Sequence, residues 1–205
     1  GSPLDAFLAD PRITEAELAR KEVALGLDKP VIVQYYHWLI NLLHGDLGYS
    51  YSSQRAVADM IAERIGATML LAGASILLSL IIAIPLGIMA ASKPKSKRDY
   101  ASSFISFLMM AAPNFFIGLI LIYFLSVKLK LLPSSGMYDS SGAKTIGMLL
   151  KHMILPCLVL SFQQIGNWFR QMRGSLLEVL QEEYIRTARA KGLSKWTVIR
   201  KYGFK

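Results

Sequence analysis

Two stretches of this chain, residues 65–92 and 100–127, contain no Asp, Glu, Lys or Arg. Each runs for about 28 residues, and roughly 20 are enough for an α-helix to cross the hydrocarbon core of a bilayer. A third tract, 153–169, has about 17, at the lower limit for a span. Lipid offers no partner to an unpaired N–H or C=O, so spanning segments of this length must be helices. The expected fold is all-α and polytopic, with three transmembrane helices in view. All three tracts are internal, and the first two exceed the apolar core of a cleaved signal peptide. The single cysteine, Cys157, lies inside the third tract, so no internal disulfide forms and it says nothing of compartment.

The formal net charge is +9, which in a soluble protein would suggest nucleic acid. Here the basic residues alternate with the apolar tracts, and no nucleic-acid partner is expected. The bend ASKPKSKRDY carries Lys93, Lys95, Lys97 and Arg98 against the lone acid Asp99, and nine Lys or Arg face three Glu from Arg170 onward. The first 66 residues hold six basic and nine acidic side chains. The positive-inside rule then places the bend and the tail in the cytoplasm, with the N-terminal region and the 128–148 loop outside. Lys128, Lys130 and Lys144 in that loop oppose the trend without reversing it. The chain divides into an extracytoplasmic helical region (1–64), a three-span part (65–171) and a cytoplasmic segment (172–205).

In the outer region, Thr14 and Glu17 are spaced as a capping box for a helix that Gly26 stops, and Pro30 opens a second helix ending near Gly45. Tyr35, Tyr36 and Trp38 suit a membrane–water boundary or packing within the region. GDLGYSYSSQ reads as turn and extended chain, and AVADMIAERI as a short amphipathic helix leading into span one. Gly73, Ala74, Ser75 and Gly87 in span one are small residues of the kind that let helices approach closely. Span two holds Pro113 and Asn114 near its middle, a kink beside a polar amide. Gln163, Gln164 and Asn167 in span three are costly against lipid, and Gln163 and Asn167 share a helical face. These five residues are candidates for lining a pathway, with helix bending and helix–helix hydrogen bonding as the alternatives.

Catalytic and metal signatures are absent from the sequence. GAKT at 142–145 lacks the glycine–lysine pair of a phosphate loop, and His37, His44 and His152 are scattered without HExxH or CxxC. No catalytic or metal-ligating residue is proposed, and the chain is not read as an enzyme.

After Arg173 the sequence turns hairpin-like. Leu176, Leu177, Leu180, Tyr184 and Ala188 recur at helical spacing up to a division at Gly192, and Ser194 can cap a second helix from Lys195. Gly192 supplies left-handed backbone for the turn. Ala188 and Ala190 leave the backbone near the bend open to another surface, ringed by Arg186, Arg189 and Lys191. An amphipathic tail on anionic lipid is the plainer alternative.

The stretch YIRTARAKGLSKW resembles the EAA-type coupling segment of ABC-importer permease subunits in their dipeptide and oligopeptide branch. GDLGYSY, ERIGATMLLA, the basic bend and APNFFIGLILIYF resemble the same branch, so the likeness covers essentially the whole chain, and it is nearest to the first permease of the pair. The resemblance implies six spans, one before Gly1 and two after Lys205, and hence an incomplete subunit here. It also implies a second permease, two ATP-binding subunits that hold ATP and Mg2+, an external solute-binding protein, and residence in a bacterial or archaeal cytoplasmic membrane. No cofactor is then expected on this chain, and its only other partner is membrane lipid. Glu183, Tyr184, Arg186, Thr187, Ala188, Arg189, Ala190, Lys191, Gly192 and Leu193 would dock on an ATPase. The acid that gives the motif its name is absent, with Arg186 in its place. Short peptides are the expected cargo, with nickel chelates or another small solute as the alternative. An ion-coupled secondary transporter would show ionisable residues in mid-membrane, and these tracts have none. A membrane-anchored interaction protein would leave Gln163, Asn167 and the hairpin without a use.

Overall fold

A computed structural model describes residues 14–24, 26–50, 52–53, 55–138 and 145–203. The GSPLD start, Tyr51 in GDLGYSY, and most of the GAKT segment lie outside them. The described elements are helical, and contacts divide the chain at Thr68/Met69 into two compact units.

In the first unit, α1 (Glu15–Ala24) begins at Thr14, whose backbone N–H donates to Glu17 Oε2 at 3.0 Å, and Gly26 follows it with φ +67°. Helix α2 (Val31–Leu43) starts after Pro30, as proline's fixed φ favours. It buries no residue, and Tyr35, Tyr36 and Trp38 are all exposed. A bridge pairs Tyr49 with Ala56, and Arg55 forms an ion pair with Glu63. The short amphipathic helix expected before span one is not separate: α3 runs unbroken over Val57–Ser92. No glycine or proline interrupts residues 57–65, so nothing stops the helix there.

In the second unit, α3 buries only small residues, Ser75, Ser79, Ala83, Gly87, Ala90 and Ala91. The first four recur every fourth residue and so form one stripe. Gly73 lies outside it, with open space around its α-carbon. Helix α6 (Ile146–Val179), capped by Thr145, meets this stripe: Ala83 and Ala90 cluster with Ile165 and Phe169. A Cβ at Gly87 would come within 2.9 Å of Met172 Cβ, so glycine allows a closer crossing than any other residue would. Helix α6 also exceeds the 17-residue tract that announced it, and Pro156 does not break it.

Span two departs most from expectation. Helix α4 (Lys97–Ala111) ends, and α5 (Asn114–Leu121) starts after Pro113 at an angle of 97°, continuing as a π-helical segment (Ile122–Lys128). Proline disfavours the α conformation in the residue before it, and Ala112 is extended at φ −77°, ψ 126°. The result is a break instead of a kink. Two helices, α3 and α6, are each long and apolar enough to cross a membrane, and the bent pair makes a third if it is one span. Both α4 and α5 pack against α6. Beyond these contacts the helices expose Leu77, Ile81, Phe104, Phe107, Phe115 and Leu119, as lipid or partner helices require.

Candidate functional site

The break in span two is held by amides. Asn114 Nδ2 donates to Gln163 Oε1 at 3.4 Å, and Gln163 Nε2 donates to the carbonyl of Met110 at 3.4 Å. Met110 lies in the last turn of α4, whose terminal carbonyls have no intrahelical donor, so Gln163 supplies one. Asn114 Oδ1 is buried without a partner among the described residues. Gln164 turns elsewhere, accepting from Ser79 Oγ at 3.4 Å on α3. Asn167 is exposed and lines an open groove with Arg170, Gln171 and Glu178. Of the five pathway candidates, the structure thus joins Pro113, Asn114 and Gln163 and separates Gln164 and Asn167. Gln163 faces the break, whereas Asn167, four residues further along, is exposed.

The hairpin is built differently from its sequence reading. The helical spacing that runs from Leu176 to Ala188 is interrupted: α6 ends at Val179, and a separate helix α7 (Glu183–Ala190) follows Glu182. Gln181 and Glu182 donate to Glu178 and Val179 carbonyls, closing the turn. Helix α7 ends in a Schellman motif, in which Gly192 N–H donates to Arg189 O (2.9 Å) and Leu193 N–H to Ala188 O (3.4 Å). Gly192 has φ +77°, which costs an L-residue about 1–2 kcal/mol. Helix α8 (Lys195–Tyr202) is capped by Ser194, which accepts from Thr197 N–H at 3.2 Å.

Ala188 is not an open ridge. It is 4% exposed and packs with Ile185 and Val198, both fully buried. Its small methyl side chain lets α7 and α8 close on each other, while Glu183, Tyr184, Arg186, Thr187, Arg189, Ala190 and Lys191 form the exposed surface. Leu193 is half-buried against the same cluster. Below it, Leu176 and Ile199 pack on Ala91 of α3. Lys195 Nζ donates to the carbonyl of Ser92, the last residue of α3, a favourable place for a cation. The hairpin is therefore fastened to α3 and α6 together.

One contact was missed altogether in sequence. Arg173 Nε and Nη2 donate to Asp99 Oδ1 and Oδ2 at 2.5 and 2.9 Å, a two-pronged pair with Asp99 only 2% exposed. Asp99 Oδ2 also accepts from Lys95 N–H at 2.9 Å, and Asp99 N–H donates to the N-cap Ser96. One carboxylate thus ties the bend, the first turn of α4 and the end of α6 together. A lone acid in a basic bend was the available signal.

Comparison with known proteins completes the picture. Residues 83–205 match the family described as binding-protein-dependent transport system inner membrane component. The oligopeptide transport system permease protein AppB of Bacillus subtilis is 39% identical over 206 residues, covering 100% of this chain and 65% of the relative. The "Probable D,D-dipeptide transport system permease protein DdpB" of Escherichia coli is 35% identical over 212 residues, covering 94% and 62%. The chain thus spans less than two thirds of the length of these relatives. It belongs to the family of binding-protein-dependent transport system inner membrane components. It is a multi-span inner-membrane protein of a transport family and not of a catalytic one.

Proposed function

We propose that the chain is part of a permease subunit of an ATP-driven importer for short peptides. It pairs with a second, similar permease, rests on two ATP-binding subunits that hold ATP and Mg2+, and receives cargo from an external solute-binding protein. In this reading the full-length subunit has six spans, the N-terminal region lies outside, and the bend at 93–99 and the tail from 172 face the cytoplasm. The chain binds no cofactor of its own.

The observation that carries the reading is the rigid hairpin. Residues 183–193 present a polar, mostly basic surface, while their apolar side is sealed onto α8 and, through Leu176, Ile199 and Ala91, onto α6 and α3. A partner gripping that surface moves two long helices as one body. A tail resting on lipid would instead turn its apolar side outward, and here that side is buried. Pro113, Asn114, Gln163, Gln164 and Asn167 are the polar positions from which the route is drawn, with the break in span two as its bending point. The names of the AppB and DdpB relatives support a peptide cargo.

The test is uptake by the full-length subunit reconstituted in vesicles with its partners. Labelled oligopeptide should enter only with ATP and binding protein, and uptake driven by an ion gradient without ATP would overturn the reading. Gly192→Pro removes an N–H donor and cannot take φ +77°. It should leave membrane insertion unchanged and ATP hydrolysis running while uptake falls to a small fraction. Wild-type uptake by that variant would count against docking at 183–193.

A further inference from the structure

A groove of about 670 Å³ opens between the C-terminal end of α3, the bend and α8. Pro85, Met89 and the ring of Trp196 form an exposed apolar floor, and Lys93, Arg98 and Lys195 stand exposed on its rim. No carboxylate lines it. At 1.5 Å per residue, Pro85 and Met89 lie about 10 and 5 Å before the end of α3, inside the charge-free tract. Lys195 Nζ reaches the carbonyl of Ser92 at that end and Lys93 follows it in sequence, while Trp196, next to Lys195, adds an aromatic ring of the kind that meets both phases. Along the helix axis the apolar residues thus come before the aromatic and cationic ones. That is the order met on passing from acyl chains to phosphate in one leaflet of a bilayer.

The depth of the floor decides the occupant. A soluble anion would use the rim and have no use for Pro85 and Met89, and a cytosolic protein cannot reach surface that lies within hydrocarbon. Basic pockets beside membrane helices select lipids with anionic headgroups. We propose that this groove binds an anionic phospholipid, with its phosphate among Lys93, Arg98 and Lys195 and an acyl chain along Pro85 and Met89. The proposal needs only that the chain lies in a membrane. It does not depend on the peptide cargo or on ATPase docking.

The experiment uses the full-length protein with its partner subunits in vesicles that carry a trace of phosphatidylglycerol or phosphatidylcholine with a diazirine on the acyl chain. After illumination, labelling of residues 85–89 and Trp196 is mapped by mass spectrometry. The glycerol lipid should label these residues several-fold more than the choline lipid. Lys93→Gln/Arg98→Gln/Lys195→Gln should reduce the excess to the choline level, and Arg98→Gln alone, which leaves the Lys195 contact intact, should remove part of it. Lys97→Gln/Lys201→Gln, at exposed cations outside the groove, should preserve it. Equal labelling by the two lipids overturns the proposal. So does an excess that survives the triple change or falls equally in the control pair, which would mark diffuse surface attraction. An excess abolished by inorganic phosphate would assign the cations to a soluble anion and overturn it as well.

Discussion

A methyl group added at Gly166 would lie 2.8 Å from the carbonyl oxygen of Ser106 and 2.9 Å from Met110 Cγ. Backbone cannot yield as a flexible side chain does, so Gly166→Ala should destabilise by about 1–3 kcal/mol, the usual cost of overpacking. Gly174, eight residues further along the same helix, has open space where a Cβ would go. There, alanine's better helix propensity should add up to about 1 kcal/mol. Thermal melts of the full-length protein in detergent should separate the two, with one midpoint falling and the other level or raised. The Asp99–Arg173 pair is asymmetric in a similar way. Arg173 keeps 30% of its side chain exposed and Asp99 only 3%, so an unpaired arginine can turn toward water while an unpaired carboxylate cannot. Arg173→Met should therefore cost more than Asp99→Asn. Breaking a buried pair costs about 3–5 kcal/mol, and the exposure of Arg173 favours the low end. Equal melting points for the two variants would show that the carboxylate is not trapped.

The start at Pro30, the stop at Gly26, the apolar tracts and the Ser194 cap follow from local chemistry, and they were legible from the chain alone. The breaks were less so. Pro113 announces a bend, but its 97° angle depends on Gln163 and Gly166, about 50 residues away, which hold α4 and α5 on either side of the turn. The stop after Val179 was hidden because Leu176, Leu180, Tyr184 and Ala188 keep helical spacing straight through it. Ala188 was misread for a related reason: a small residue is equally apt for an approaching partner and for close packing at home, and only the position of Val198 decides. At this scale the break predicts a coupling. Gln163→Leu and Asn114→Leu should each cost about 1 kcal/mol, since each leaves a half-buried amide group without its partner. The double change should cost less than the sum, because the shared bond is lost only once. Strict additivity in detergent melts would mean that the 3.4 Å contact contributes nothing.

For the molecule as a whole, the proposed orientation is open to a direct chemical check. In a Cys157→Ala background, Ser52→Cys should react with a membrane-impermeant maleimide added to intact spheroplasts. Lys191→Cys should react only after the membrane is opened, and the reverse pattern would invert the topology. The continuity of α6 then acquires a use. Its 34 residues make a rod about 51 Å long at 1.5 Å per residue. Near one end His152 meets the carbonyl of Gly136 at 3.1 Å, and near the other Leu176 sits under the hairpin. A stiff beam of that length needs no hinge to report from one face of a bilayer to the other. Pivoted at either end, a lean of about 5° sweeps the far tip through about 4 Å, enough to make or sever the contacts of the loop that touches it.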